Sequence, residues 1–258
     1  MYKIKFDDLI INSNNRKVLK KKTILFFYGL GCCSNDFNFL IRSINKKFQI
    51  LIPELPGHHR KTNSRNSNLN SYTKKIFLFI KKKKLRKIIF FAHSVGGIIP
   101  ILLAKRFLKK KIFKNFINYE GNLTHYDTST ITKKTVSYSK EIFNEKYNNL
   151  ISICSSSKEV GLRKWSESLK KTSPDSFYNI SKDAVSYSNS GDLMRFYKSF
   201  FNKRIYLYGE KSNFFFSEFL FGSIRYKIYD CGHFSFYENS YEFRKIFNKS
   251  INERNLND

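Results

Sequence analysis

The sequence predicts an α/β architecture: a mostly parallel central sheet with helices on both faces, interrupted once by a helical cap insertion. Three observations predict it. Short apolar runs alternate with amphipathic stretches through the first half of the chain, the pattern of parallel strands joined by crossover helices. The rhythm breaks between Leu123 and Asn202, where polar residues alternate with helical fragments, and resumes at Lys203. Locally, residues 90–98 read "FFAHSVGGI", setting a serine between an apolar run and two adjacent glycines.

Taken in order, the first twenty residues predict a hairpin at the sheet edge. "KTILFFYG" (22–29) reads as a buried strand, "NDFNFLIRSINKKF" as a helix, and "QILIPELPG" (49–57) as the next strand. "SYTKKIFLFIKKKK" predicts a helix, "RKIIFFAH" (86–93) a strand, "GGIIPILLAKRFLKK" a helix, and "FKNFINYEG" (113–121) a strand. Within the insertion, "VSYSKEIFNEKYNNLISI" and "GDLMRFYKSF" carry helical patterns. "KRIYLYGE" (203–210) and "IRYKIYD" then read as strands, and "FYENSYEFRKIFNKS" as a closing helix. The expected organisation is a core of residues 1–122 and 203–258, with residues 123–202 as cap. Nothing repeats at a fixed period, which argues against solenoids and propellers.

A chain of 258 residues suits one large domain with an insertion. Its 48 Lys and Arg against 20 Asp and Glu give a net charge of +28. Such a charge raises a polyanion as partner. Here the excess is scattered lysine, accompanied by abundant Asn, Ile, Phe and Tyr but only three alanines and four prolines. Those preferred residues have AT-rich codons, so compositional drift accounts for the charge and nucleic acid is not favoured. Cys32, Cys33, Cys154 and Cys231 lack the paired spacing of a zinc site and predict reduced thiols. No apolar stretch has the length of a signal peptide or a membrane span, so the expectation is a cytoplasmic protein.

A serine at the apex of a strand–turn–helix has the setting of a nucleophile elbow, G-x-S-x-G, where crowded backbones demand small residues two places either side. Ala92 and Gly96 stand there around Ser94. A helix cap is the alternative role for Ser94. Two strands earlier, "FFYGLGCC" places Gly29 and Gly31 in a loop whose backbone N–H groups can face the serine. Leu30 and Val95 are the candidate oxyanion donors. In "DCGHFSFYEN", His233 follows the last strand and precedes the final helix.

"YGLG" (28–31), "ELPGHH" (54–59), "AHSVGG" (92–97) and "GHFSFYEN" (232–239) together resemble the α/β-hydrolase superfamily, specifically small serine esterases with "HGxG", "DxPGHG", "GHSxGG" and "GHFxxxEN" segments. Tyr28 stands where that family usually has histidine, and Ser212 where the triad aspartate of a "GxxD" pattern usually falls. Some members place the acid after the strand following the nucleophile strand, and "NYEGNLT" puts Glu120 there. The resemblance therefore implies Ser94, His233 and Glu120 as catalytic residues, with Glu210 the alternative acid, and calls for no cofactor and no metal. It implies ester hydrolysis through an acyl-enzyme. The specific expectation is a pimeloyl-[acyl-carrier protein] methyl ester esterase, whose acidic carrier protein would meet the basic "LRKWSESLKK" (162–171). The alternatives are a carbon–carbon bond hydrolase and a non-catalytic binding protein on the same scaffold. Tyr126, Tyr138, Trp165 and Phe177 are candidates to line an acyl pocket, with core packing within the cap as the equal alternative.

Overall fold

Alternate side chains of a strand point to opposite sheet faces, and adjacent phenylalanines here bury both. In the computed structural model, which describes residues 1–59, 67–107, 115–128, 130–212 and 222–253, an eight-stranded sheet carries the chain. A hairpin of β1 (Tyr2–Phe6) and β2 (Leu9–Ser13) opens it, followed by β3 (Lys22–Phe27), β4 (Phe48–Pro53), β5 (Ile88–His93), β6 (Asn115–Tyr119), β7 (Lys203–Gly209) and β8 (Ile224–Ile228). Their spatial order is β1-β2-β4-β3-β5-β6-β7-β8. The pairs β1–β2 and β2–β4 are antiparallel and the rest parallel.

On one face, Phe26 stacks on Phe91 at 4.7 Å, and Phe91 meets Phe247 at 5.0 Å. That face is covered by α1 (Asn38–Ser43), α9 (Ser235–Glu238) and α10 (Ser240–Ile251). On the other, Phe27 meets Tyr72 of α2 (Leu69–Lys82), and Phe116 meets Tyr197 of α8 (Asp192–Phe200). Helix α3 (Ile98–Arg106) packs between α2 and α8. Between β6 and α8 lie α4 (Ile131–Val136), α5 (Lys140–Ser155), α6 (Val160–Leu169) and α7 (Pro174–Asn189), with no strand among the described residues of this segment.

Several boundaries differ from the sequence expectation for local reasons. The helix expected over residues 35–48 is a 3-10 turn, Ser34–Phe37, followed by α1. Asn45 caps a turn through Lys47 N–H, and Phe48 is drawn into parallel pairing with Lys22. The closing helix divides at Asn239, whose side chain accepts the Glu242 N–H at 3.2 Å and so begins α10. Helix α7 has no counterpart in the periodicity reading, although Ser173 as N-cap and Pro174 in the first turn mark its start. The expected ends of the helix over residues 96–110 and the strand over 113–121 fall partly outside the described residues. All four cysteines are buried and free. No helix among the described residues is long and apolar enough to cross a membrane.

Phe91 is fully buried between aromatic rings from strand and helix. Phe91→Ala should lower unfolding stability by about 3–5 kcal/mol, read from denaturant midpoints at constant m-value.

Candidate active site

The elbow forms where β5 ends. Ser94 sits in the left-handed region at φ 53°, begins a 3-10 turn over Ser94–Gly97, and leads into α3. A Cβ on Gly96 would lie 2.5 Å from the Phe27 carbonyl oxygen and 2.7 Å from that of Tyr28. The crowding read from the sequence is therefore real, and the backbones in contact are those of β3 and its following loop. Ala92, the other small residue, is fully buried.

One strand over, Glu120 directly follows β6 and is also left-handed at φ 43°. Asn118 Oδ1 accepts the Gly121 N–H at 2.6 Å, and Asn122 N–H donates to the Ser94 carbonyl at 3.0 Å, so this turn is tied to the elbow. The buried Glu120 carboxylate accepts the Gly209 N–H at 2.7 Å through Oε1. Its Oε2 meets His233 Nδ1 at 2.5 Å. A carboxylate in that position takes an N–H from Nδ1, which leaves Nε2 as the basic nitrogen of a neutral ring.

Ser94, His233, Glu120, Leu30 and Val95 all line one cavity of about 1210 Å³. Glu210 is exposed and engaged elsewhere: it pairs with Lys227 and accepts the Asp230 N–H at 3.2 Å. Ser212 also lines the cavity, carrying no carboxylate. Of the expected pocket aromatics, Tyr126 and Trp165 line the cavity. Phe177 instead packs among Phe143, Tyr147 and Trp165 inside the helical segment, and Tyr138 is engaged through its carbonyl with Tyr178. Phe177 lies on the inward face of α7, so the segment's own core claims it.

The loop carrying Leu30 is braced from two sides. Trp165 Nε1–H donates to the Leu30 carbonyl at 3.0 Å, and Gly31, left-handed at φ 72°, has Leu169 and Trp165 where a Cβ would go. Beneath it, Tyr28 donates to Glu54 Oε2 at 2.5 Å and accepts the Leu55 N–H at 2.7 Å. Asn12 Nδ2 and Ser34 Oγ donate to the other Glu54 oxygen. Burial first, and the nearby Glu54 second, push the Tyr28 hydroxyl well above its ordinary pKa, so it remains a donor. This four-residue network and the brace from Trp165 were not read from the sequence. The signal available was "ELPGHH", which marks the segment but not its partner.

No family model matches the chain. Putative esterase/lipase 2 of Mycoplasma pneumoniae is 29% identical over 87 residues, covering 33% of this chain and 32% of the relative. The alignment thus spans about a third of that curated protein. Among solved structures, a carboxylesterase of the thaumarchaeon Nitrososphaera gargenis superposes with a TM-score of 0.74 at 14% identity, covering 95% of this chain and 96% of its own. MenH from S. aureus gives a TM-score of 0.67 at 16% identity, covering 93% and 97%. The chain has the α/β-hydrolase fold.

His58, in the loop after β4, is fully buried, with Nδ1 on the Pro56 carbonyl at 3.0 Å and Nε2 without a partner among the described residues. Burial lowers its pKa from 6.5 to about 4. Between those values the unfolded chain binds the proton and the folded chain does not, so stability is full above pH 6.5 and declines on acidification towards pH 4. The contribution at stake is about 3 kcal/mol. Urea unfolding of wild type and His58→Gln at pH 7 and pH 4.5 should show the smaller acid loss in the variant.

Proposed function

We propose that this protein is a serine hydrolase that cleaves a carboxylic ester with Ser94, His233 and Glu120 as its catalytic triad. The observation that carries the reading is the 2.5 Å contact of His233 Nδ1 with Glu120, made at the wall of a cavity that Ser94 also lines. In the proposed reaction His233 Nε2 takes the Ser94 proton as Oγ attacks the ester carbonyl. The Leu30 and Val95 N–H groups hold the resulting oxyanion. Collapse of the tetrahedral intermediate releases the alcohol, which takes its proton from His233, and leaves an acyl group on Ser94. Water then repeats the sequence in reverse roles and frees the acid. Glu120 keeps the ring in the required tautomer and stabilises the imidazolium.

The acyl arm fits an apolar wall built from Leu30, Val95, Leu123, Ile131, Leu162 and Trp165. The same cavity is bounded by the carboxylates Asp127, Glu159, Asp230 and Glu238, with Lys211 beside them. An acyl chain that is uncharged before hydrolysis suits this lining, and the carboxylate formed by hydrolysis is repelled from it. A pimeloyl methyl ester meets that requirement. A carrier protein as its bearer draws support from Arg163, Lys164 and Lys170, exposed on or next to α6, whose other face reaches the cavity. Carbon–carbon bond hydrolysis is the second reading, served on this fold by the same serine, histidine and carboxylate. The cytoplasm, where the buried thiols stay reduced, is the proposed compartment.

A fluorophosphonate probe should label the wild type and not Ser94→Ala. Glu120→Gln should lower kcat by about 10⁴, as expected when the ring loses its tautomer, whereas Glu210→Gln should leave it within twofold, roughly the effect of a remote surface change. Absence of labelling in folded wild type would instead establish a binding protein on this scaffold. In a matched ester series, a terminal carboxylate on the acyl chain should reduce kcat/KM about tenfold against the neutral homologue, the penalty of like charges across a partly wet cavity.

A further inference from the structure

The ring of His233 is held by Glu120, but its backbone is held by two other side chains. Tyr119 Oη–H donates to the His233 carbonyl at 2.6 Å, and His93 Nε2 approaches the same oxygen at 3.2 Å. A carbonyl oxygen only accepts, so His93 carries its proton on Nε2. His93 Nδ1 is buried with no partner among the described residues, as suits the neutral ring that burial enforces. His93 and Tyr119 are paired in register across β5 and β6, and their rings stack at 4.7 Å with an interplanar angle of 23°. Both are buried.

We infer that His93 and Tyr119 are positioning residues, a stacked pair of struts that fixes the main chain of His233 while Glu120 fixes its ring. The arrangement follows from strand geometry. Each of the two neighbouring strand ends supplies consecutive residues with different tasks: His93 and Ser94 from β5, Tyr119 and Glu120 from β6. The first of each pair lies beneath the histidine loop, with His93 also reaching the cavity wall, and the second turns through a left-handed backbone into the cavity. The loop's remaining restraints lie at its flanks. Glu238 accepts the Gly232 N–H at 2.5 Å, Ser235 Oγ–H donates to the Gly232 carbonyl at 2.8 Å, and Tyr119 Oη accepts the Ser235 N–H at 2.9 Å and lies 2.8 Å from Ser235 Oγ. Only the two struts act on the His233 carbonyl itself among the bonds described.

A single strut leaves the carbonyl one donor, and loss of both frees it to shift, so the two effects are more than multiplicative. The inference rests on the hydrolase reading for its kinetic readout, and a spectroscopic one is independent of it. Tyr119→Phe and His93→Phe each preserve the buried ring. Each should lower kcat about fivefold with KM unchanged, the loss of one neutral hydrogen bond on the His233 carbonyl; Tyr119→Phe also releases the Ser235 N–H. The double variant should lose about 100-fold or more, the penalty of a displaced base. His93→Gln, which offers an amide N–H at similar reach, should recover most of the loss. In parallel, the low-field proton resonance of the His233–Glu120 hydrogen bond should be present in wild type and broadened away in the double variant. Should circular dichroism show the double variant unfolded, the single variants and the glutamine rescue decide. Wild-type kcat in both single variants, or His93→Gln as impaired as His93→Phe, overturns the struts. An inactive, unlabelled wild type whose low-field proton is lost in the double variant sustains the struts and sinks the hydrolase reading.

Discussion

Burying the Glu120 carboxylate at the end of β6 is the constraint around which this molecule is organised. A carboxylate removed from water is costly unless its oxygens are matched, and the two partners it finds lie on different elements: the Gly209 N–H at the end of β7 and the His233 ring beyond β8. The three strand ends must therefore converge. Gly209 is glycine because a Cβ there would lie 2.4 Å from the Gly232 carbonyl oxygen. The left-handed backbone at Glu120 aims the side chain and costs roughly 1 kcal/mol for a non-glycine residue, which Asn118 and Asn122 offset through bonds to Gly121 and the elbow.

A second buried carboxylate, Glu54, performs the corresponding task on the other side of the elbow. It gathers Tyr28, Asn12 and Ser34, so the loop bearing Leu30 rests on a matched polar network rather than on solvent. From above, α6 presses Trp165 onto the same loop. The helical segment thus does more than roof the cavity, because it sets the position of backbone groups beside Ser94. The cavity's acidic boundary also contrasts with the chain's net charge of +28, which shows how little a whole-chain charge says about the environment at one wall.

Periodicity was enough for the strands, since runs such as "TILFF" and "IIFFA" are apolar on both faces and only a two-sided layer buries them. It placed the elbow as well, because the steric demand at Ser94 is satisfied by its own neighbours. It overextended α1 and missed the break in the closing helix, where single asparagines redirect the chain by hydrogen bonds that a hydropathy pattern does not register. It left Phe177 between the cavity wall and the core of the helical segment, because the apolar character of a ring on a helix says only that it is buried and not against what.

By itself the sequence determined the alternation of strands and helices and the serine turn, which depend on residues close together in the chain, and, through its motifs, a short choice of carboxylates for His233. The choice of Glu120 over Glu210 as the partner of His233 was decided by tertiary structure, for Glu120 and His233 are separated by 113 positions and meet only where β6, β7 and the last loop converge. The same holds for His93 and Tyr119 beneath the histidine, and for Tyr28 with Glu54. Hydrogen bonds between distant segments are set by strand register and by the cost of leaving a buried polar group unmatched, and neither is written in any local pattern.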